Sequence, residues 1–216
     1  MTLAIFDLDH TLIDGDSDYL WGEYMVKNGI VDAEAYQARN LEFYEEYQRG
    51  SLDNDQYLKF SLEPLTRYPL EKLDAWRRDY VERWIKPLIK PGAEAKFDLH
   101  RNQGHALMII SATHRFITEP IAEMLQIPCL LATEPEIANG RYTGRYLGTP
   151  TYREGKVVAL HQWLDSNGES LDGAYFYSDS INDLPLLEAV EYPITVGPDD
   201  ELRAIAEARA WPIIEL

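Results

Sequence analysis

Two carboxylates two positions apart, Asp7 and Asp9, follow the short apolar run Leu3-Ala4-Ile5-Phe6. A chain leaving a strand can aim both the same way, so that one attacks an electrophile while the other donates a proton to the leaving oxygen. Polar residues close two further apolar runs. Ser111-Ala112-Thr113 follows His105 to Ile110, and Ser178-Asp179-Ser180-Ile181-Asn182-Asp183 follows the run that starts at Ala174. Lys156 opens a helical stretch just before the latter run. This set of residue types suits phosphoryl transfer. The reacting phosphoryl group is highly charged, so a carboxylate nucleophile needs its repulsion cancelled. Mg2+ does this through oxygen ligands, which Asp7, Asp179 and Asp183 supply. Lys156 adds a fixed positive charge, and the Ser111 hydroxyl with the adjacent backbone N–H at Ala112 can bind phosphoryl oxygens.

Each of these residues alone has a plainer reading: an acidic turn, a helix cap, a satisfied strand-end hydroxyl. Together they occupy the carboxyl ends of successive strands, where open parallel sheets bind ligands. The elements needed are legible. Strands are predicted at 3–6, 105–110, 129–132, 174–178, 192–196 and 212–215. Helices are predicted at 93–102, 115–125, 154–165, after Asn182 and at 199–208. Asn139-Gly140 predicts a hairpin. Alternating strands and helices imply an α/β fold, a doubly wound parallel sheet. An all-helical stretch separates the first strand from the rest. Its helices are expected from about Tyr19 to Asn28, over 33–48, 53–63 and 70–85, with Ser17 or Asp18 capping the first. The expected organisation is a Rossmann-like catalytic core at 1–15 and 88–216, with a helical cap domain inserted at 16–87.

The chain has 216 residues, with 20 Lys plus Arg against 37 Asp plus Glu, a net charge of −17. So acidic a surface argues against nucleic-acid and anionic-lipid partners. No apolar stretch is long enough to cross a bilayer. The N-terminus lacks the features of a signal peptide, and a cytoplasmic enzyme is expected. Cys129 is the single cysteine and reads as a buried, inert thiol.

Asp7-Leu8-Asp9-His10-Thr11-Leu12, Ile109-Ile110-Ser111-Ala112-Thr113, Glu154-Gly155-Lys156 and Ser178-Asp179-Ser180-Ile181-Asn182-Asp183 together resemble the four motifs of the haloacid dehalogenase superfamily. The chain is most similar to the branch with a helical cap after the first motif, which includes phosphoserine phosphatase and histidinol-phosphatase. The resemblance implies that Asp7 forms an aspartyl-phosphate and that Asp9 is the acid, then the base for water. It implies that Asp7, the Asp9 carbonyl and Asp179 hold Mg2+, with Asp183 supporting the metal shell and Asn182 orienting the phosphoryl group. Asp9 separates the chain from family dehalogenases, which lack a carboxylate there, and from ion-pump ATPases, which carry Thr.

Several positions depart from the phosphoserine phosphatase pattern. Ala112-Thr113 replaces Gly-Gly, Ser178-Asp179-Ser180 replaces Gly-Asp-Gly, and Asp16 stands where those enzymes hold the substrate amine with Glu. No Arg occurs between Ser51 and Leu65, where those enzymes carry one for the substrate carboxylate. Asp16 therefore becomes a candidate substrate residue in an acidic loop, Asp14-Gly15-Asp16-Ser17-Asp18, in which Asp18 reads as a helix cap. Trp21, Tyr24, Phe43, Tyr44, Tyr47 and Tyr57 make the cap aromatic. These features favour a small phosphomonoester with an amine and no carboxylate, such as histidinol phosphate, ahead of phosphoserine. A phosphotransferase to an alcohol, or a non-catalytic binding module on the same fold, are the competing classes.

Overall fold

The computed structural model describes residues 1–216. Six parallel strands form one sheet in the order β3-β2-β1-β6-β7-β8. They are β1 (Leu3–Phe6), β2 (Ala106–Ser111), β3 (Cys129–Ala132), β6 (Tyr175–Ser178), β7 (Tyr192–Val196) and β8 (Ile213–Ile214). β1 lies between β2 and β6, with Phe6 level with Ile109 on one side and Tyr177 on the other. The sheet therefore grows in both directions from β1, the arrangement that opens a ligand crevice at the strand ends. β1 is wholly buried, which is why it reads as an uninterrupted apolar run. Helices α5 (Ala93–Asn102), α6 (Arg115–Met124), α7 (Glu154–Asn167), α8 (Leu184–Leu187) and α9 (Asp200–Arg209) follow or precede these strands. Two apolar clusters of 29 and 12 buried residues pack around the sheet.

β4 (Glu134–Ala138) and β5 (Arg141–Leu147) form the hairpin that turns at Asn139-Gly140. Both turn residues have positive φ, 52° and 73°, as a two-residue hairpin turn requires.

The stretch between β1 and α5 is helical. It contains α1 (Ser17–Lys27), α2 (Ala33–Gln48), α3 (Asn54–Leu62) and α4 (Leu70–Tyr80), then a π turn over Val81–Ile85 that ends the longer helix expected to reach Ile85. The chain enters and leaves this block through two paired linkers. Ile13 bridges Ile89, Asp14 N–H donates to the Leu88 carbonyl at 2.7 Å, and Lys90 N–H donates to the Leu12 carbonyl at 2.9 Å. The larger apolar cluster runs across the boundary and joins Trp21, Tyr24 and Leu62 of the block to Phe6, Ile109 and Phe116 of the sheet layer.

The first helix starts earlier than expected. Its cap is Asp16, not Ser17 or Asp18: Asp16 Oδ1 accepts the backbone N–H of Asp18 at 2.9 Å and of Tyr19 at 2.7 Å. α1 and α2 approach closely at Gly22, where a Cβ would stand 2.4 Å from Asn40 Nδ2. Asn40 uses that nitrogen to donate to the Tyr19 carbonyl at 3.0 Å. Cys129 is half-buried rather than enclosed, because β3 is an edge strand; burial still pushes its thiol up. No helix is long and apolar enough to cross a membrane.

Candidate active site

The ends of β1, β2 and β6 bring the expected residues together. Asp7 N–H donates to the Tyr177 carbonyl at 2.9 Å, which fixes its backbone against β6. Asp7 is only 5% exposed. The ammonium of Lys156 reaches it from α7, with Nζ 2.6 Å from Asp7 Oδ1 and 2.7 Å from Asp183 Oδ1. α7 can start where it does because residue 155 is Gly: a Cβ there would lie 1.9 Å from the Pro150 carbonyl oxygen. Ser178 Oγ donates to Asp183 Oδ2 at 2.7 Å, so Asp183 is fully committed to orienting the lysine.

Asp9 faces the same cavity and is held by both oxygens. Oδ1 accepts the Ser17 backbone N–H at 2.7 Å, and Oδ2 accepts Thr113 Oγ1 at 2.8 Å. Thr11 Oγ1 donates to Asp179 Oδ1 at 2.8 Å. Ser111 lies at the end of β2, 1% exposed, and its Oγ accepts the Thr113 N–H at 3.1 Å. Ala112 and Thr113 line the cavity beside Asp7 and Asp9. Asn182 is the expected site residue whose polar ends are turned elsewhere. Its Oδ1 accepts Tyr152 Oη at 3.2 Å and Arg153 Nε at 3.0 Å, and its Nδ2 donates to the Tyr47 carbonyl at 3.3 Å. Arg153 also donates to the Gly50 carbonyl, so the loop before α7 is tied to the helical block.

The donor set is short of positive charge. Burial pushes the Asp7 carboxyl well above its usual range, and Asp183, Asp179 and Asp9 add to this against the pull of Lys156. Burial, reinforced by Asp183, raises Asp179 to about 7 although the Thr11 hydroxyl stabilises its anion. Burial alone would lower the Lys156 ammonium, yet Asp183 and Asp7 hold it above its ordinary value. Four carboxylates around one ammonium fit a hard divalent cation with oxygen ligands. No three acidic, His or Cys side chains close on one point. Asp7 and Asp179 would therefore need a backbone oxygen beside them, as the expected Asp9 carbonyl provides.

The cavity extends from this end into the helical block. Asp16, Asp18, Tyr19, Asn40, Phe43, Tyr44, Tyr47 and Tyr57 line that part, with no Lys or Arg among them. Asp16 thus reaches the cavity while its Oδ1 caps α1. Asp18, expected to be a helix cap, is a cavity residue instead. Burial raises its carboxyl to about 7. The sequence alone gives the supporting hydroxyls Thr11, Thr113 and Ser178 no distinctive signal. Their motif positions were visible, but their partners depend on which strand ends become neighbours.

The chain is similar over its length to known proteins. Residues 4–188 match the model of the haloacid dehalogenase-like hydrolases. A histidinol-phosphatase of Neisseria meningitidis serogroup C (strain 8013) is 45% identical over 216 residues, covering 98% of this chain and 97% of that protein. A crystal structure of a protein of unknown function from Bordetella pertussis Tohama I superposes with a TM-score of 0.93 at 42% identity, covering 99% of both chains. A substrate-bound phosphoserine phosphatase shares the fold at 20% identity, with a TM-score of 0.72 over 99% of this chain and 92% of that one. With its strand-end carboxylates, buried lysine and helical insert, the chain is a phosphatase that belongs to the haloacid dehalogenase-like hydrolase family.

Proposed function

We propose that the chain hydrolyses histidinol phosphate through an aspartyl-phosphate on Asp7. The observation that carries the chemical assignment is the placement of Lys156 Nζ at 2.6 Å from Asp7 while Asp9, gripped by Ser17 and Thr113, faces the same cavity. Asp7 attacks phosphorus, and the ester oxygen leaves with a proton from Asp9. Asp9 then takes a proton from the water that hydrolyses the acyl-phosphate, returning Asp7 as a carboxylate. Lys156 and the N–H group at Ala112 stabilise charge on the phosphoryl oxygens, with the Ser111 hydroxyl contributing from the end of β2. Asn182 holds the rim of this pocket against the helical block. Asp7, the Asp9 carbonyl and Asp179 would hold Mg2+, which supplies charge neutralisation, and Asp183 would keep Lys156 in place. The helical stretch 16–87 acts as a cap over the core formed by 1–15 and 88–216, and it carries the substrate-selecting residues.

The substrate assignment rests on the cavity's charge. The part of the lining beyond the phosphoryl end carries Asp16 and Asp18 and no Lys or Arg, which suits a substrate with an amine and no carboxylate. Phosphoserine would bring a carboxylate into that lining with nothing to pair it. The 45% identical histidinol-phosphatase supports the same choice. The test is a panel of small phosphomonoesters assayed with magnesium and after chelation. Histidinol phosphate should have the highest kcat/KM, phosphoserine should be at least about 10-fold worse, and chelation should abolish turnover of both. Equal or better turnover of phosphoserine would overturn the substrate assignment.

A further inference from the structure

Asp16 and Asp18 both line the cavity, but they differ in what already holds them. Asp16 Oδ1 accepts two backbone N–H groups of α1. Asp18 is 6% exposed, and its Oδ2 has no hydrogen-bond partner. Its Oδ1 lies 3.7 Å from His114 Nε2, too far for a hydrogen bond, and neither His114 nitrogen has a partner. His114 is fully enclosed, and burial lowers its imidazole to about 3, so it brings no positive charge. Asp9, the charged group that acts on Asp18 most directly, has the same sign. The only polar help comes from the Tyr57 phenol. A position in the first turn of a helix favours an acid, but it does not account for enclosing that acid without a counter-ion. Asp7 and Asp183 have Lys156, and Asp9 and Asp16 each accept two hydrogen bonds; Asp18 has neither kind of support.

We propose that Asp18 is a specificity-determining residue whose free Oδ2 receives the cationic nitrogen of the substrate, a protonated amine or an imidazolium. The inference rests on reading the enzyme as a phosphatase for a small cationic ester, and it says which carboxylate does the selecting. The phosphate sits at the Asp7 end, and the cation lies toward Asp18, in the part of the cavity that Phe43 and Tyr57 also line. Asp16, at the position that resembles the amine-binding Glu of phosphoserine phosphatases, is left as the α1 cap.

The experiment compares kcat/KM for histidinol phosphate with that for the same ester lacking the amine and the ring charge. The proteins are wild type, Asp18→Asn, Asp18→Ser and Asp16→Asn. Either Asp18 variant should lower the ratio of cationic to neutral ester about 10- to 100-fold, mainly through KM, because the contact is equal in ground and transition states. Asp16→Asn retains a capping side chain and should change the ratio less than about threefold. The proposal is overturned if Asp16→Asn produces the selective loss, or if the Asp18 variants lower both esters equally. A wild-type preference that survives both Asp18 variants rejects Asp18 alone. Absence of that preference in wild type rejects the cationic-substrate reading itself, and the inference with it. Turnover of the neutral ester by the Ser variant keeps the test decisive if the Asn variant does not fold.

Discussion

Asp18 gives a stability signature separate from any assay. Its carboxyl titrates at about 7 in the folded protein because it is buried, against an ordinary value near 3.8. Asp9 and His114 face it from the sheet layer, and Asp16, Tyr36, Tyr57 and Tyr80 from the helical block. Below the unfolded value both states are protonated and the residue adds no pH dependence. As pH rises toward 7 the unfolded chain releases the proton while the folded protein keeps it, so folding stability falls across that window and then levels off. Asp18→Asn should therefore gain stability relative to wild type as pH rises from below 3.8 toward neutrality, measured as the difference in Tm. A difference that shows no such gain would contradict the burial of an unpaired carboxylate. At this scale residue type and motif spacing were enough to bring Asp7, Asp9, Lys156 and Asp183 to neighbouring strand ends, although Asp183, expected beside a metal, is bonded to Lys156 and Ser178. The α1 cap was expected at Ser17 or Asp18 and is Asp16. Asp16 and Asp18 are both acids beside one helix start, and only the packing of α2 and α3 over that turn decides which is the cap and which is enclosed.

At the scale of elements, α6 carries Pro120 inside its span. A proline has no N–H, so the carbonyl four residues back, that of Phe116, loses its helical partner. Arg77 of α4 supplies one, with Nη1 donating to Phe116 O at 3.1 Å. The helical block thus completes a hydrogen bond that the core helix cannot make for itself. Arg77→Met should cost about 1–3 kcal/mol by leaving that carbonyl unpaired. In a Pro120→Ala background the helix can close its own bond, so the same substitution should cost much less. Denaturant unfolding of the four proteins checks this, and strict additivity would mean the arginine acts elsewhere. None of this was legible beforehand. Strand positions and the Asn139-Gly140 turn follow from local pattern, and the helix of α2 was read to its observed ends. The π turn after Tyr80 and the Arg77 contact depend on how sequence-distant helices meet.

For the molecule as a whole, the net charge of −17 and the acidic cavity act in one direction: they favour a ligand that brings positive charge along with its phosphate. The doubly wound sheet and the inserted helices were both visible from the order of elements. What the order could not reveal is that block and sheet share one apolar cluster, because amphipathic faces do not name their partners. The apolar cluster, the paired linkers at Ile13 and Ile89, and the Arg153 and Asn182 ties all press the helical block onto the strand ends. The purpose of that assembly, in this account, is to let Asp7 take the phosphoryl group in a closed site. The most direct measurement is to quench the enzyme in acid during turnover and locate the covalent phosphate by peptide mass spectrometry. The account predicts phosphate on Asp7 and none on Asp9 or Asp183. A phosphorylated Asp9 or Asp183, or efficient turnover with no phosphoenzyme and an active Asp7→Asn variant, would contradict it.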